Sequence, residues 1–125
     1  MKYEYDVARI EKVVDGDTVD AIVDLGFGLT FGTGKQLRVR LKGINCPETR
    51  GKNKEAGQAA KVFVVDWFSR CANEGINIIL RTTKDKKGKY GRYLGEFLIE
   101  DSDGGFLRSL NEDLVTAGHA VRVDY

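Results

Sequence analysis

Histidine occurs once in the 125 residues, at His119, proline once, at Pro47, and cysteine twice, at Cys46 and Cys71. A histidine-rich zinc site or a histidine-dependent triad would have to lean on that one imidazole. His119 follows a helix stop and reads as a surface or packing residue. Two cysteines make no disulfide framework and read as free thiols, with Cys71 buried in a helix. No apolar run approaches the roughly 18 residues that cross a bilayer, so no membrane span is expected. The polar start, Met1-Lys2-Tyr3-Glu4-Tyr5-Asp6, lacks the apolar stretch of a secretory signal. The chain is therefore expected to be cytoplasmic, or a mature or trimmed form of an exported protein. No phosphate loop of the GxxxxGK[ST] kind is present. The net charge is only +1, from 20 basic and 19 acidic side chains, which removes any global polyelectrolyte argument for nucleic acid. The chemistry must come from carboxylates, arginines and a metal held by oxygen.

The charge is segregated rather than large. Arg38, Arg40 and Lys42 alternate along one strand, Arg50, Lys52 and Lys54 share a loop, and Lys84, Lys86, Lys87, Lys89 and Arg92 crowd a third segment. The acids gather at residues 11–24 and 96–103. Such segregation focuses a positive field on one face, although each cluster alone reads as solvated loop charge.

Hydrophobic spacing gives the order of elements. Residues 3–14 read as a first strand with Val7 and Ile10 apolar, and Asp15-Gly16 is a hairpin turn signal. Val19, Ala21, Val23 and Leu25 alternate as in a half-buried strand. Residues 26–34 read as a mobile glycine-rich hairpin loop. Leu37, Val39 and Leu41 point one way, so Arg38, Arg40 and Lys42 point the other. Residues 43–54 form a long loop. Ala56, Ala60, Phe63, Val64, Trp67, Phe68 and Cys71 then follow helical spacing, with Trp67 on the core face and Gly75 as the stop. Ile76, Ile78 and Leu80 alternate again, and residues 94–99 form another strand. Ser109 and Glu112 form a capping box for a short helix that presents Leu110, Leu114 and Ala117, with Gly118 as its end. Residues 120–125 are extended. Five short strands with a helix between the third and fourth is the layout of an OB-type Greek-key barrel, here a single α+β, mainly β domain over residues 1–125 with about two helices.

Three segments could carry chemistry: Val14-Asp15-Gly16-Asp17-Thr18-Val19, the run from Arg40 through Asn45, Cys46 and Pro47 to Glu48 and Thr49, and Lys89-Tyr90-Gly91-Arg92. Each is weak alone. In this order, with a helix between the second and third, they resemble the staphylococcal nuclease family. The likeness runs from about Val7 to Tyr125 and includes Asn111-Glu112-Asp113-Leu114-Val115 to Gly118, which is similar to that family's NEALV…G helix. The resemblance implies a calcium-dependent nuclease that cuts single-stranded or fraying DNA and RNA and leaves 3′-phosphates. By the same resemblance Arg40, Glu48 and Arg92 are the catalytic residues. Asp17, Asn45 and the backbone carbonyl of Cys46 hold one calcium ion, and Lys89, Tyr90 and Tyr125 contact substrate.

The residue chemistry agrees. A phosphodiester is anionic, and calcium, a hard cation, prefers oxygen ligands and neutralises a phosphoryl oxygen while orienting water. Arg40 and Arg92 each offer a fork of donors to the charge of the transition state. Glu48 accepts a proton from water or positions that water.

Asn45 departs from the family, which has a second aspartate there. It offers one neutral oxygen in place of two anionic ones, so weaker calcium binding is expected. The loop bearing Lys52 and Lys54 is shorter, and the sequence stops at Tyr125 without the family's C-terminal helix; either that helix is dispensable or the sequence is a shorter piece. Two other readings stand beside the enzyme. One is a non-catalytic nucleic-acid- or protein-binding module of the same family, supported by Asn45. The other is a plain OB-fold binder of single strands, which gives no reason for the acid, arginine, glutamate and arginine set. A monomer is the default.

Overall fold

Asp15-Gly16 was expected to turn the first hairpin, and the chain does turn there, one residue later than the dipeptide suggests. The computed structural model describes residues 3–83, 91–100, 103 and 105–124. In it β1 (Glu4–Asp15) and β2 (Thr18–Gly26) pair with Asp15 opposite Thr18, so Gly16 and Asp17 form the loop. Gly16 is not at positive φ. Its role is spatial: a Cβ there would stand 2.8 Å from the Ala60 Cβ and 3.0 Å from the Cys46 Sγ.

The other strands are β3 (Leu29–Phe31), β4 (Arg38–Leu41), β5 (Ile44–Asn45), β6 (Ile78–Thr82), β7 (Tyr93–Glu100), β8 (Phe106–Ser109) and β9 (Val121–Arg122). Pairing runs β1, β6, β7, β4, β2 and back to β1, which closes a five-stranded barrel. Closure depends on β1. Three register shifts along it increase its twist, and while Asp6 still pairs with Asp24 of β2, Glu4 to Asp6 also pair with Arg81 to Ile79 of β6. The barrel contains one parallel pair, β4 with β7.

Residues 26–34 carry more regular structure than a plain hairpin loop. They hold β3, an edge strand on β2, and a short 3-10 turn at Thr33–Lys35. β3 left no signal because Leu29 and Thr30 are exposed, so apolar and polar residues do not alternate with burial. Residues 43–54 likewise contain β5, which pairs with β9, the final extended segment. β8, joined to β7, was not anticipated, since three of its four residues are exposed.

Helix α1 (Lys54–Asn73) buries Gly57, Ala60, Val64, Trp67, Phe68 and Cys71; of the face expected, Ala56 is exposed and Phe63 half-buried, and Gly57 is buried where Ala56 was expected. It closes one end of the barrel against Val13, Val19, Leu41 and Ile44, all in one core with Leu80, Phe97, Leu110 and Leu114. Phe68 meets Phe97 edge-on at 5.1 Å. Each such fully buried side chain contributes on the order of 1.5–3 kcal/mol by leaving water. Gly75, at φ +66, ends α1, and Ile76 N donates back to Cys71 O at 2.9 Å. Trp67 is core, as expected, and its Nε1 donates to Asp113 Oδ2 at 2.9 Å.

Helix α2 (Leu110–Thr116) keeps half of its capping box. Ser109 Oγ accepts from Glu112 N at 3.3 Å. The Glu112 carboxylate does not reach back. Ser109 is the last residue of β8, and Glu112 is drawn instead to Arg122, at 2.6 and 2.9 Å. Leu110 and Leu114 are buried, but Ala117, expected on the same face, is exposed at the C-cap. No helix among the described residues is long and apolar enough to cross a membrane.

Candidate active site

The closed end of the barrel gathers three sequence-distant segments. Asp17 lies in the β1–β2 turn, Arg40 near the end of β4, and Asn45-Cys46 at and just beyond β5. Backbone pairing sets their register, since Thr18 faces Arg40 and Leu41 N donates to Asp17 O at 2.8 Å. The Asp17 side chain completes the link by accepting from Cys46 N through Oδ2 at 2.9 Å. Asp17 is 9% exposed and Arg40 8%. Two opposite charges this deep hold their geometry because neither can leave without stranding the other.

Arg40 Nη2 donates to Asn45 Oδ1 at 3.1 Å and stands 3.5 Å from Asp17 Oδ2, while Nη1 donates to Leu41 O at 2.9 Å. Its guanidinium plane is fixed from several sides. Arg38 is not an equivalent cation: Asp20, almost fully buried, takes its Nε and Nη2 at 2.7 and 2.9 Å, which raises the Arg38 pKa further. The alternating arginines of β4 thus divide into one that staples strands and one that faces the site.

Asp15 belongs to this group, although its sequence position marked it only as a turn residue. Its Oδ1 accepts from Asp17 N at 3.4 Å. Burial, and then the neighbouring Asp17, raise its carboxyl pKa above the ordinary value. Two carboxylates crowded at one turn, beside an amide oxygen at Asn45, form an oxygen donor set that suits a hard cation. The Asp-Gly-Asp spacing carried that signal. Among the described residues no three of His, Cys, Asp and Glu converge on one point, so the set is modest in charge.

Arg92 immediately precedes β7. The parallel register pairs Val39 with Tyr93 and Arg40 with Leu94. Strand alternation then puts Arg92 on the outer face that Arg40 shares. Glu48 is exposed, three residues beyond Asn45. Its backbone lies against α1 at Gly57, where an added Cβ would clash with the Glu48 carbonyl. Cys46 turns its thiol inward, and burial, then Asp17, push its pKa up to about 12. His119 packs its ring against Phe63 at 5.1 Å. Lys89, Tyr90 and Tyr125, with the lysines of residues 84–87, lie outside the described residues.

Comparison with known proteins gives two matches. A family model described as staphylococcal nuclease homologue matches residues 38–125. An uncharacterized protein of Methanocaldococcus jannaschii is 30% identical, over 94% of this chain and 59% of its own length. The chain thus spans less than two thirds of that relative.

Proposed function

From the chain's membership of the staphylococcal nuclease homologue family, we propose that it is a calcium-dependent nuclease hydrolysing phosphodiester bonds of DNA and RNA to 3′-phosphate products. The observation that carries this reading is the buried arginine: Arg40 is held by Asn45 and Leu41 beside two crowded carboxylates, and the exposed Glu48 follows Asn45 by three residues. A salt bridge that only stabilised the barrel would not need a second carboxylate whose ionisation is opposed by burial and by the first.

Asp15, Asp17, Asn45 and the Cys46 carbonyl are the groups that would hold calcium. When bound, the ion neutralises a phosphoryl oxygen and orients water. Arg40 and Arg92 donate to the remaining phosphoryl oxygens, and their hydrogen bonds strengthen as charge accumulates in the transition state. Glu48 takes or orients the proton of the attacking water as the bond from phosphorus to the 5′ oxygen breaks and that oxygen leaves as a hydroxyl, protonated from solvent. Unstacked strands are the favoured substrate, because a base must leave its stack to meet side chains beside the phosphate.

The test is cleavage of a labelled single-stranded DNA with calcium, with chelator, and with Glu48→Gln. The expected result is calcium-dependent cleavage that falls by about 10²- to 10⁴-fold in the variant. Folded wild-type protein that binds the strand but cuts nothing with calcium, manganese or magnesium would establish a non-catalytic binding module instead.

A further inference from the structure

Gly57 occupies the first turns of α1, where alanine is the better helix former by propensity. Its backbone does not require glycine, since it is absent from the positive-φ positions. The reason for glycine is space. A Cβ at this position would stand 2.7 Å from Thr49 N and closer still to the carbonyl carbon and oxygen of Glu48. The peptide between Glu48 and Thr49 is therefore seated directly on the helix backbone. The neighbouring Gln58 adds a second tie, its Nε2 donating to Thr49 O at 3.4 Å.

The helix has little freedom to back away from that peptide. One turn on, Ala60 is fully buried against Gly16 and Cys46, and Val64 and Trp67 continue the same face into the core. Withdrawing α1 would open all of these contacts, whereas beyond the buried Cys46 the loop is only half-buried at Pro47 and Thr49 and exposed at Glu48 and Arg50. An added methyl would therefore displace the loop. Ordinary contact at Thr49 N begins at 3.4 Å, so the loop must yield by at least 0.7 Å (3.4 − 2.7), and by more at the carbonyl.

We propose that Gly57 is a positioning residue: its missing side chain sets where Glu48 stands relative to Asp17 and Arg40. The inference rests on the nuclease reading of Glu48. It makes the N-terminal part of α1 a common platform, with the acidic turn pressed on Ala60 and the proton acceptor seated on Gly57, one helical turn apart on one face. A shift of this size at a reacting group costs on the order of 10²-fold in rate.

The experiment uses Gly57→Ala, Glu48→Gln and the double variant, with Val64→Ala as a control that loosens the same helix without touching the Glu48 peptide. Gly57→Ala is expected to lower kcat about 10²-fold with KM and calcium affinity within about twofold of wild type. In the double variant it should cost nothing beyond Glu48→Gln, because it acts only through that carboxylate. Val64→Ala should lower Tm and leave kcat unchanged. Gly57→Ala that is more stable than wild type and equally active, as helix propensity alone predicts, overturns the proposal, as does a loss that multiplies in full with Glu48→Gln.

If the wild-type protein cleaves nothing, the nuclease reading fails and the seat is judged in the metal-free protein. Displaced Glu48 and Thr49 amide resonances in Gly57→Ala then support it, and unchanged ones overturn it. Should Gly57→Ala not fold, the exposed Gln58→Ala must lower kcat several-fold in the wild-type background and not in Glu48→Gln; no change overturns the proposal.

Discussion

Arg40 donates through Nη2 to Asn45 Oδ1 at 3.1 Å. The same nitrogen lies 3.5 Å from Asp17 Oδ2, so the neutral amide of Asn45 and the carboxylate of Asp17 flank one guanidinium. Asn45→Asp adds a negative charge to a donor set that has only two carboxylates. Calcium affinity should rise about tenfold, roughly 1.4 kcal/mol, as ligand charge count increases. Titration calorimetry measures it, and an unchanged affinity removes Asn45 from the ion's surroundings.

Asp15 gives a pH dependence of definite sign. Its folded pKa is raised above the ordinary 3.8, by burial first and Asp17 second. Between those two pKa values the native state binds more protons than the unfolded state, so stability falls as pH rises through the raised value. Asp15→Asn should therefore raise Tm at neutral pH in metal-free protein, with the gain fading below the unfolded pKa. Melting curves from acid to neutral pH decide it, and a gain that persists undiminished in acid contradicts the mechanism.

The inward-facing Cys46 makes a chemical prediction. With its pKa near 12, almost none of it is thiolate at pH 8.5. Cys71 is also buried, with its pKa raised by burial. Folded protein should resist iodoacetamide at that pH and take up two equivalents on unfolding. Rapid labelling of native Cys46 would show that the loop opens far more readily than its contact with Gly16 suggests.

Asn111 ties the site's strands to α2. Its Nδ2 donates to Lys42 O at 3.0 Å and Gly95 O at 3.2 Å, while its buried Oδ1 has no hydrogen-bond partner among the described residues. Removing the donor takes this bond from the Lys42 carbonyl just past β4 and one of two from Gly95 O in β7, which still accepts from Lys42 N at 2.8 Å. Asn111→Ala should cost about 1–3 kcal/mol in urea unfolding. Asn111→Leu should cost at least as much, since it also forces a branched apolar group against those carbonyls.

Most of the barrel's frame was legible because it is written locally. The period of α1, the turn at Asp15-Gly16, the inward set Leu37, Val39 and Leu41, and the Ser109 cap are decided by residues within a few positions of one another. What was not legible depends on distant partners. β5 and β9 are two-residue strands that exist only because residues 44–45 meet residues 121–122. Glu112 left its capping role because Arg122, ten residues on, is a better partner. β3 and β8 expose too many side chains to show a period.

The site divides in the same way. Asp17, Arg40, Asn45 and Glu48 could be named from short motifs, yet Asp15 read as turn chemistry because its effect is electrostatic and arises only on burial. Gly57 was invisible as anything but a helix residue, since what it permits is an approach by a chain segment nine positions earlier.

The single parallel pair in the barrel has a consequence for how activity arises during folding. Arg40 in β4 and Arg92 just before β7 belong to neighbouring strands that run in the same direction, 52 positions apart in the chain (92 − 40). Such strands cannot meet through a hairpin; the whole helical crossover must be laid down first. No fragment that lacks this crossover can hold both guanidiniums, so the proposed cleavage has no precursor without it. In refolding, activity should return with the slowest, most non-local step and never ahead of it.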